Sequence, residues 1–239
     1  MNDIEKLQKM IDESNNIVFF GGAGVSTESG IPDFRSKNGL YQKKTNNQFS
    51  PEYMLSSKCF YDNTDEFFKF YKENMNSLKY EPNITHKYLK KLEDSGKLKG
   101  IITQNIDGLH SKAGSKNVFE IHGTILKNHC LKCNKEYGPN KIFNSNNIPL
   151  CECGGIIKPD VVLYGEMLTS DFEKAQELIY KADMLIVAGT SLTVYPASGL
   201  VDYFNGKYLV ILNNDKTNYD NKANLVINKP LKEVFSKLN

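Results

Sequence analysis

Apolar positions follow two rhythms along this chain, and the alternation between them sketches a fold. Ile4, Leu7, Met10 and Ile11 recur at helical spacing and predict an opening amphipathic helix. Residues 17–20 (Ile-Val-Phe-Phe) then form an unbroken apolar run of β-branched and aromatic character, as in a buried strand. The same reading predicts a helix near residues 86–93 and strands at 100–103, 118–121 and 161–163. Ser170 and Glu173 read as a capping box for a helix through Lys181, which leads into the buried run 184–188 (Met-Leu-Ile-Val-Ala). Residues 208–212 and 225–227 predict two further strands, and Pro230 suits the start of a last helix. This β/α alternation argues for an α/β fold, a mostly parallel sheet with helices on both faces.

Two stretches break the alternation. Residues 36–81 are polar and aromatic, with Phe67, Phe68, Phe70 and Tyr71 bunched together, and read as a loop followed by one or two helices. Residues 127–159 carry four of the five cysteines among turn-forming asparagines and glycines. Both are expected to be insertions that pack together beside the sheet and leave a cleft between the two parts.

Composition narrows the picture only a little. At 239 residues the chain can bury a substantial core as one domain with an inserted smaller one. A net charge of +2, with the 30 basic residues dispersed, gives no case for nucleic acid or a membrane surface. The first residues are polar rather than signal-like, and no apolar run approaches the ~18 residues of a membrane span. The expectation is a cytoplasmic monomer.

The cysteines do change the picture. Cys130-x-x-Cys133, seventeen residues, then Cys151-x-Cys153 has the layout of two knuckles around a tetrahedral Zn²⁺. Four thiolates leave no open position, so such a metal would be structural. A disulfide pair is the alternative, disfavoured inside a cell. The second knuckle is one residue shorter than usual, which leaves His129, beside Cys130, as an alternative ligand. Cys59 reads as a small apolar filler.

Glycines after the first strand suit close approach of backbone to a pyrophosphate. However, Gly22 and Gly24 are followed by Gly30 rather than by a third glycine three residues on, which disfavours an ordinary dehydrogenase. Asn105 and Asp107 lie two apart just past a predicted strand, so both can point into one cleft, and His122 precedes a glycine.

In order, the chain carries Gly22-Ala23-Gly24-Val25-Ser26, Gly30-Ile31-Pro32-Asp33-Phe34-Arg35, Thr103-Gln104-Asn105-Ile106-Asp107-Gly108-Leu109-His110 and His122-Gly123. The paired cysteines follow, then Lys158-Pro159-Asp160-Val161-Val162-Leu163-Tyr164-Gly165-Glu166 and Gly189-Thr190-Ser191-Leu192. This succession resembles the sirtuins, NAD-dependent protein lysine deacylases, over about residues 17–213. The resemblance implies a Rossmann-like part (about 1–36, 82–126 and 160–239) and a small module from residues 37–81 (helical) and 127–159 (zinc ribbon). It implies NAD as co-substrate, one structural Zn²⁺ held by Cys130, Cys133, Cys151 and Cys153, and an acyl-lysine peptide bound as an extended strand.

By the same resemblance, His122 takes a proton from the ribose hydroxyls and Asn105 assists at the ribose or an ordered water. Asp107 and the backbone of Ile106 hold the nicotinamide carboxamide, and Gln104 contacts a ribose hydroxyl. Phe34 and Arg35 belong to a loop closing over the cofactor, while Ala23 and Thr27 line its pyrophosphate and nicotinamide end. Gly189, Thr190, Ser191, Asn213 and Asn214 contact phosphates, ribose and adenine. Val161, Leu163, Tyr164, Gly165 and Glu166 form the edge that pairs with the peptide, faced by the loop around residues 192–195. Relatives that remove succinyl or malonyl groups carry a Tyr-x-x-Arg pair, which falls here at Phe68 and Tyr71 and supplies no cation, so an uncharged acyl group is expected. Protein mono-ADP-ribosylation in the same cleft and non-catalytic NAD sensing are the competing readings; intact His122 and Asn105 favour deacylation.

Overall fold

The computed structural model describes residues 1–33, 39, 41 and 49–239. Helix α1 (Asp3–Glu13) opens on a reciprocal cap: the Asn2 side chain accepts the Glu5 amide, and the Glu5 carboxylate accepts the Asn2 amide. Strand β1 (Ile17–Gly21) is buried throughout and runs into two short 3-10 turns, Ala23–Val25 and Thr27–Ser29. Helices α2 (Pro51–Met54), α3 (Ser57–Asp62), α4 (Thr64–Met75) and α5 (Ile84–Asp94) follow, then β2 (Leu98–Thr103), α6 (Leu109–Lys112) and β3 (Val118–Glu120). The chain continues through β4 (Gly123–Cys130), β5 (Glu136–Tyr137), α7 (Asn140–Phe143), β6 (Ile157–Val161), α8 (Asp171–Tyr180) and β7 (Met184–Ala188). A 3-10 helix (Ala197–Tyr203), β8 (Tyr208–Leu212), β9 (Leu225–Ile227) and α9 (Leu231–Phe235) complete it.

Six strands form one parallel sheet in the order β3-β2-β1-β7-β8-β9. Successive side chains point to opposite faces, so each apolar strand feeds two cores. Ile17, Phe19, Ile101, Ile186 and Val210 pack under α1, α5 and α9. Val18, Phe20, Ile102, Leu185, Val187 and Ile211 pack under α8 and the Ala197–Tyr203 helix. From β1 the chain builds outward to one side through β2 and β3, and from β7 to the other through β8 and β9. The crevice past the carboxyl ends of β1 and β7 is therefore the topological switch point, where open α/β sheets bind ligands.

A second, antiparallel sheet has the order β5-β4-β6. Phe60, Phe67, Phe68 and Tyr71 from α3 and α4 share one core with Ile125, Cys130, Cys151 and Ile157 from the cysteine segment. Among the described residues no helix is long and apolar enough to cross a membrane.

Three expectations need correction. The strand placed at 161–163 lies earlier, at Ile157–Val161, and pairs antiparallel with β4 rather than joining the parallel sheet. Strand β4, whose apolar and polar residues do not alternate cleanly, was not anticipated. The capping box at Ser170 does not form: the helix is there, but the Ser170 side chain accepts no amide, and Asp171 takes the Glu120 amide instead.

Candidate active site

The carboxyl ends of β2, β1, β7 and β8 lie level, with Gly21 opposite both Thr103 and Ala188, and Ala188 opposite Leu212. The segments that leave these four strands begin at Gly22, Gln104, Gly189 and Asn213, so the fold alone gathers the motifs. Gly22 and Gly24 let the first loop lie against the third. A Cβ on Gly22 would sit 2.7 Å from Thr190 Cβ, and one on Gly24 2.7 Å from Gly189 Cα. The amides of Gly22 and Gly24 bond to the carbonyls of Ala188 and Gly189 at 3.1 and 2.8 Å. These glycines thus serve contact between two loops of the chain itself, beyond the ligand approach expected of them.

A cleft of about 1020 Å³ opens there, between the sheet's loop ends and the small module. Ala23, Thr27, Gln104, Asn105, Ile106, Asp107, His122, Gly189, Thr190, Ser191, Asn213 and Asn214 all line it, as do Val161, Leu163, Tyr164, Gly165 and Glu166. Phe34 and Arg35 lie outside the described residues.

At the centre, His122 Nδ1 lies 3.0 Å from the Gln104 carbonyl. A carbonyl only accepts, so Nδ1 carries the proton and Nε2 of the neutral ring is left as a proton acceptor. Burial holds the imidazole below its usual range, while the bond to Gln104 opposes this, so the ring is neutral at pH 7. Gly123 is the hinge that permits this placement: its φ is +76°, and a Cβ would fall 2.0 Å from the Asp160 carbonyl oxygen of β6.

Beside it, Asn105 donates from Nδ2 to the Gly22 carbonyl and to Ser26 Oγ, each at 3.1 Å. Ser26 Oγ in turn donates to Asp107 Oδ2 at 2.6 Å, and the Leu109 amide donates to Asp107 Oδ1 at 2.9 Å. Burial raises the Asp107 carboxyl above the ordinary range, and these two donors pull the other way. Ser26 had been given no role, although it closes the first motif; what its hydroxyl meets, 81 residues on, is a tertiary fact. Gln104 Nε2 donates to Thr190 Oγ1 at 3.0 Å, joining the second and third loops.

Along the other wall, residues 162–164 run on past β6 and the chain then turns at Gly165 (φ +92°), the Glu166 amide donating to the Leu163 carbonyl at 2.9 Å. The Val162 amide donates to the His122 carbonyl, the Tyr164 amide to Leu55 and the Ser57 amide to Tyr164, at 2.9, 3.0 and 3.0 Å. Glu166 turns its carboxylate inward, to the Leu163 amide at 2.9 Å and to the mostly buried Lys158 ammonium at 3.1 Å. Facing it, Val194 and Tyr195 line the cleft as irregular chain rather than as a strand.

Of the two positions matched to the Tyr-x-x-Arg pair, Phe68 is buried and Tyr71 is wholly enclosed, stacked between Phe67 and Phe143. Lys69 is exposed on α4, and Lys72 donates to the carbonyls of Ser145 and Asn147.

The four cysteine sulfurs Cys130, Cys133, Cys151 and Cys153 lie within 4.8 Å of one another, with separations of 3.4–3.5 Å for three pairs. Zn–S bonds of ~2.3 Å in a tetrahedron would set sulfurs about 3.8 Å apart, whereas a disulfide needs ~2.05 Å. The set therefore fits Zn²⁺ and is not disulfide-bonded. His129 is committed elsewhere, its Nδ1 on the Asp160 carboxylate.

Fold and cleft together define a doubly wound α/β protein of the dinucleotide-binding type carrying a four-cysteine metal module. The sequence profile of the Sir2 family matches residues 22–196, and the chain belongs to that family. It is 54% identical over 238 residues to an NAD-dependent protein deacetylase of Clostridium perfringens, covering 98% of each chain. It is 52% identical over the same length to one of Clostridium acetobutylicum, covering 98% of this chain and 97% of that one. A solved Sir2 with deacetylated p53 peptide and 3'-O-acetyl ADP ribose superposes with a TM-score of 0.89 at 37% identity, covering 98% of this chain and 96% of that chain. Another, Sir2 with p53 peptide and NAD⁺, gives 0.86 at 37%, covering 99% and 97%.

Proposed function

We propose that this chain is an NAD-dependent protein-lysine deacetylase, moving the acyl group of an N6-acyl-lysine to ADP-ribose with release of nicotinamide. The observation that carries the reading is the meeting, in one cleft at the switch point, of a neutral His122 with Nε2 free and the half-buried Asn105 and Asp107, linked through Ser26. The deacetylase names of relatives at about half identity support it.

The cleft residues fit NAD. The amides of Ala23, Thr190 and Ser191 make no hydrogen bond to described residues, so they remain for phosphate oxygens, with the glycine-tight loop contact holding them in place. Bound there, NAD supplies a nicotinamide leaving group and the ribose that accepts the acyl unit. His122 Nε2 then receives a ribose hydroxyl proton, Asn105 orients its neighbours, and Asp107 accepts the carboxamide, its charge steadied by Ser26. Gln104, Asn213, Asn214, Thr27, Gly189 and Ser191 hold the remaining polar groups. For Phe34 and Arg35 the proposed role is that of the resemblance, shielding and positioning the cofactor.

The peptide lies extended against Val161, Leu163, Tyr164 and Gly165 and pairs, independently of sequence, with the main-chain groups of this edge that internal bonds leave free. Glu166 acts by shaping this edge. Phe68, Tyr71 and the outward or engaged lysines offer no cation to a carboxylate-bearing acyl group, so acetyl and similar uncharged groups are the substrates. The four cysteines hold one structural Zn²⁺. The enzyme works as a cytoplasmic monomer, divided into a Rossmann-like part (about 1–36, 82–126, 160–239) and a small module (37–81, 127–159).

Mass spectrometry of an acetyl-lysine peptide incubated with protein and NAD tests this reading. Loss of acetyl matched by nicotinamide and O-acetyl-ADP-ribose is the expected result. No loss of acetyl, with a protein or peptide gaining ADP-ribose, would replace deacetylation by mono-ADP-ribosylation.

A further inference from the structure

The zinc knuckle at Cys151 and Cys153 has one intervening residue where its partner has two, and the structure shows what accompanies the shorter loop. Four thiolates around one Zn²⁺ leave a net charge of about −2, which surrounding donors must disperse if the metal is to stay. At the first knuckle the Lys132 amide, from inside the loop, turns back on Cys130 Sγ at 3.3 Å. The second loop contains only Glu152, whose side chain leaves the site for Lys135 at 2.8 Å. Cys151 is met by the Cys153 amide at the end of this loop and, from across the sheet, by Tyr137, whose Oη donates to its Sγ at 3.0 Å.

This contact is built rather than incidental. Tyr137 sits on β5, paired with Asn128 of β4, and the Asn128 amide group donates to the Tyr137 carbonyl at 3.2 Å. Strand β4 ends at Cys130, so one ladder fixes both the phenol and a metal ligand. The ammonium groups of Lys135 and Lys141 each lie 5.6 Å from the Tyr137 ring centroid, packing the ring with cations that favour its place there.

We propose that Tyr137 is a positioning residue of the zinc site: its hydroxyl donates to the Cys151 thiolate, holds the shortened knuckle on the metal and slows zinc release. Partners of this kind typically shift metal affinity by about 10–100-fold.

Tyr137→Phe keeps the ring and removes only the donor. Zinc-loaded wild type and variant are mixed with excess chromophoric chelator and zinc transfer is followed by absorbance, with the exposed Tyr61→Phe as control. The variant is expected to release zinc about 10–100 times faster, with the control unchanged. Equal rates for wild type and Tyr137→Phe overturn the proposal. Should the variant purify without metal, both chains are refolded from denaturant across buffered free zinc. A curve displaced to higher free zinc by the same factor supports the role, and coincident curves overturn it. A wild type that binds no zinc removes the site and the proposal with it.

Discussion

His122 can work as a base because its other nitrogen is occupied. With Nδ1–H on the Gln104 carbonyl, the tautomer is set and Nε2 faces the cleft as an acceptor. Substituting Tyr should reduce deacetylation by at least the ~10²–10⁴-fold that a positioned base contributes, while NAD affinity stays within a few-fold. Near-normal turnover by His122→Tyr would remove His122 from the mechanism. Because burial lowers this imidazole below 6.5, the acid limb of kcat/KM should fall below that value: rate rises with pH through the folded pKa and is flat above it. Apart from Ser26, the residues proposed for this chemistry were named from the sequence motifs. Their couplings were not, since Ser26–Asp107 and Lys158–Glu166 depend on which loops the sheet brings together and which way a carboxylate turns.

At the scale of elements, α5 and α6 meet through two buried histidines, His86 and His110, with ring centroids 4.6 Å apart. His86 Nδ1 accepts the Asn83 amide as part of the α5 cap, but its Nε2 and both nitrogens of His110 find no partner among the described residues. Burial lowers His86 to about 4 and His110 well below 6.5. The unfolded chain therefore takes up protons near pH 6.5 that the folded chain refuses. Stability is complete above about 6.5 and falls as pH drops toward 4, by on the order of 1.4 kcal/mol per pH unit for each histidine. Asp107 and Glu120, raised by burial, protonate earlier in the folded chain and act in the opposite sense. The histidine share is thus the difference in slope between wild type and His86→Asn, followed as the urea midpoint from pH 7.5 to 5. Equal slopes would mean that the pair is not held neutral. Periodicity found the long helices and every strand of the main sheet, because a strand covered on both faces must be apolar throughout. It missed β4 and β5 and misplaced β6, because a small module held by cysteines can form a sheet without an apolar run.

On the scale of the whole molecule, β4 joins the two centres. His122 precedes it and Cys130 ends it, so the residue proposed to move a proton and one proposed to bind metal lie at opposite ends of one strand, which is paired to β6 at Gly123 and, past an irregularity, from Asn128 to Cys130. The core of the small module includes Cys130 and Cys151 themselves along with the aromatic residues of α3 and α4. Releasing the metal would leave buried thiolates repelling one another inside that core, whereas the six-stranded sheet has separate cores on its two faces. Cys130→Ala, or exhaustive chelation, should therefore abolish deacetylation and expose the amides of β4, β5 and β6 to hydrogen exchange. The amides of β1, β2, β7 and β8 should keep their protection. NAD affinity should fall less than peptide affinity, since most residues proposed to hold the cofactor follow the ends of the parallel strands, while Tyr164 is bonded to Leu55 and Ser57 and Leu163 packs in the core of the module. If exchange rises equally in both sheets, the two parts unfold as one cooperative unit, and zinc then stabilises the entire chain rather than the wall that receives the peptide.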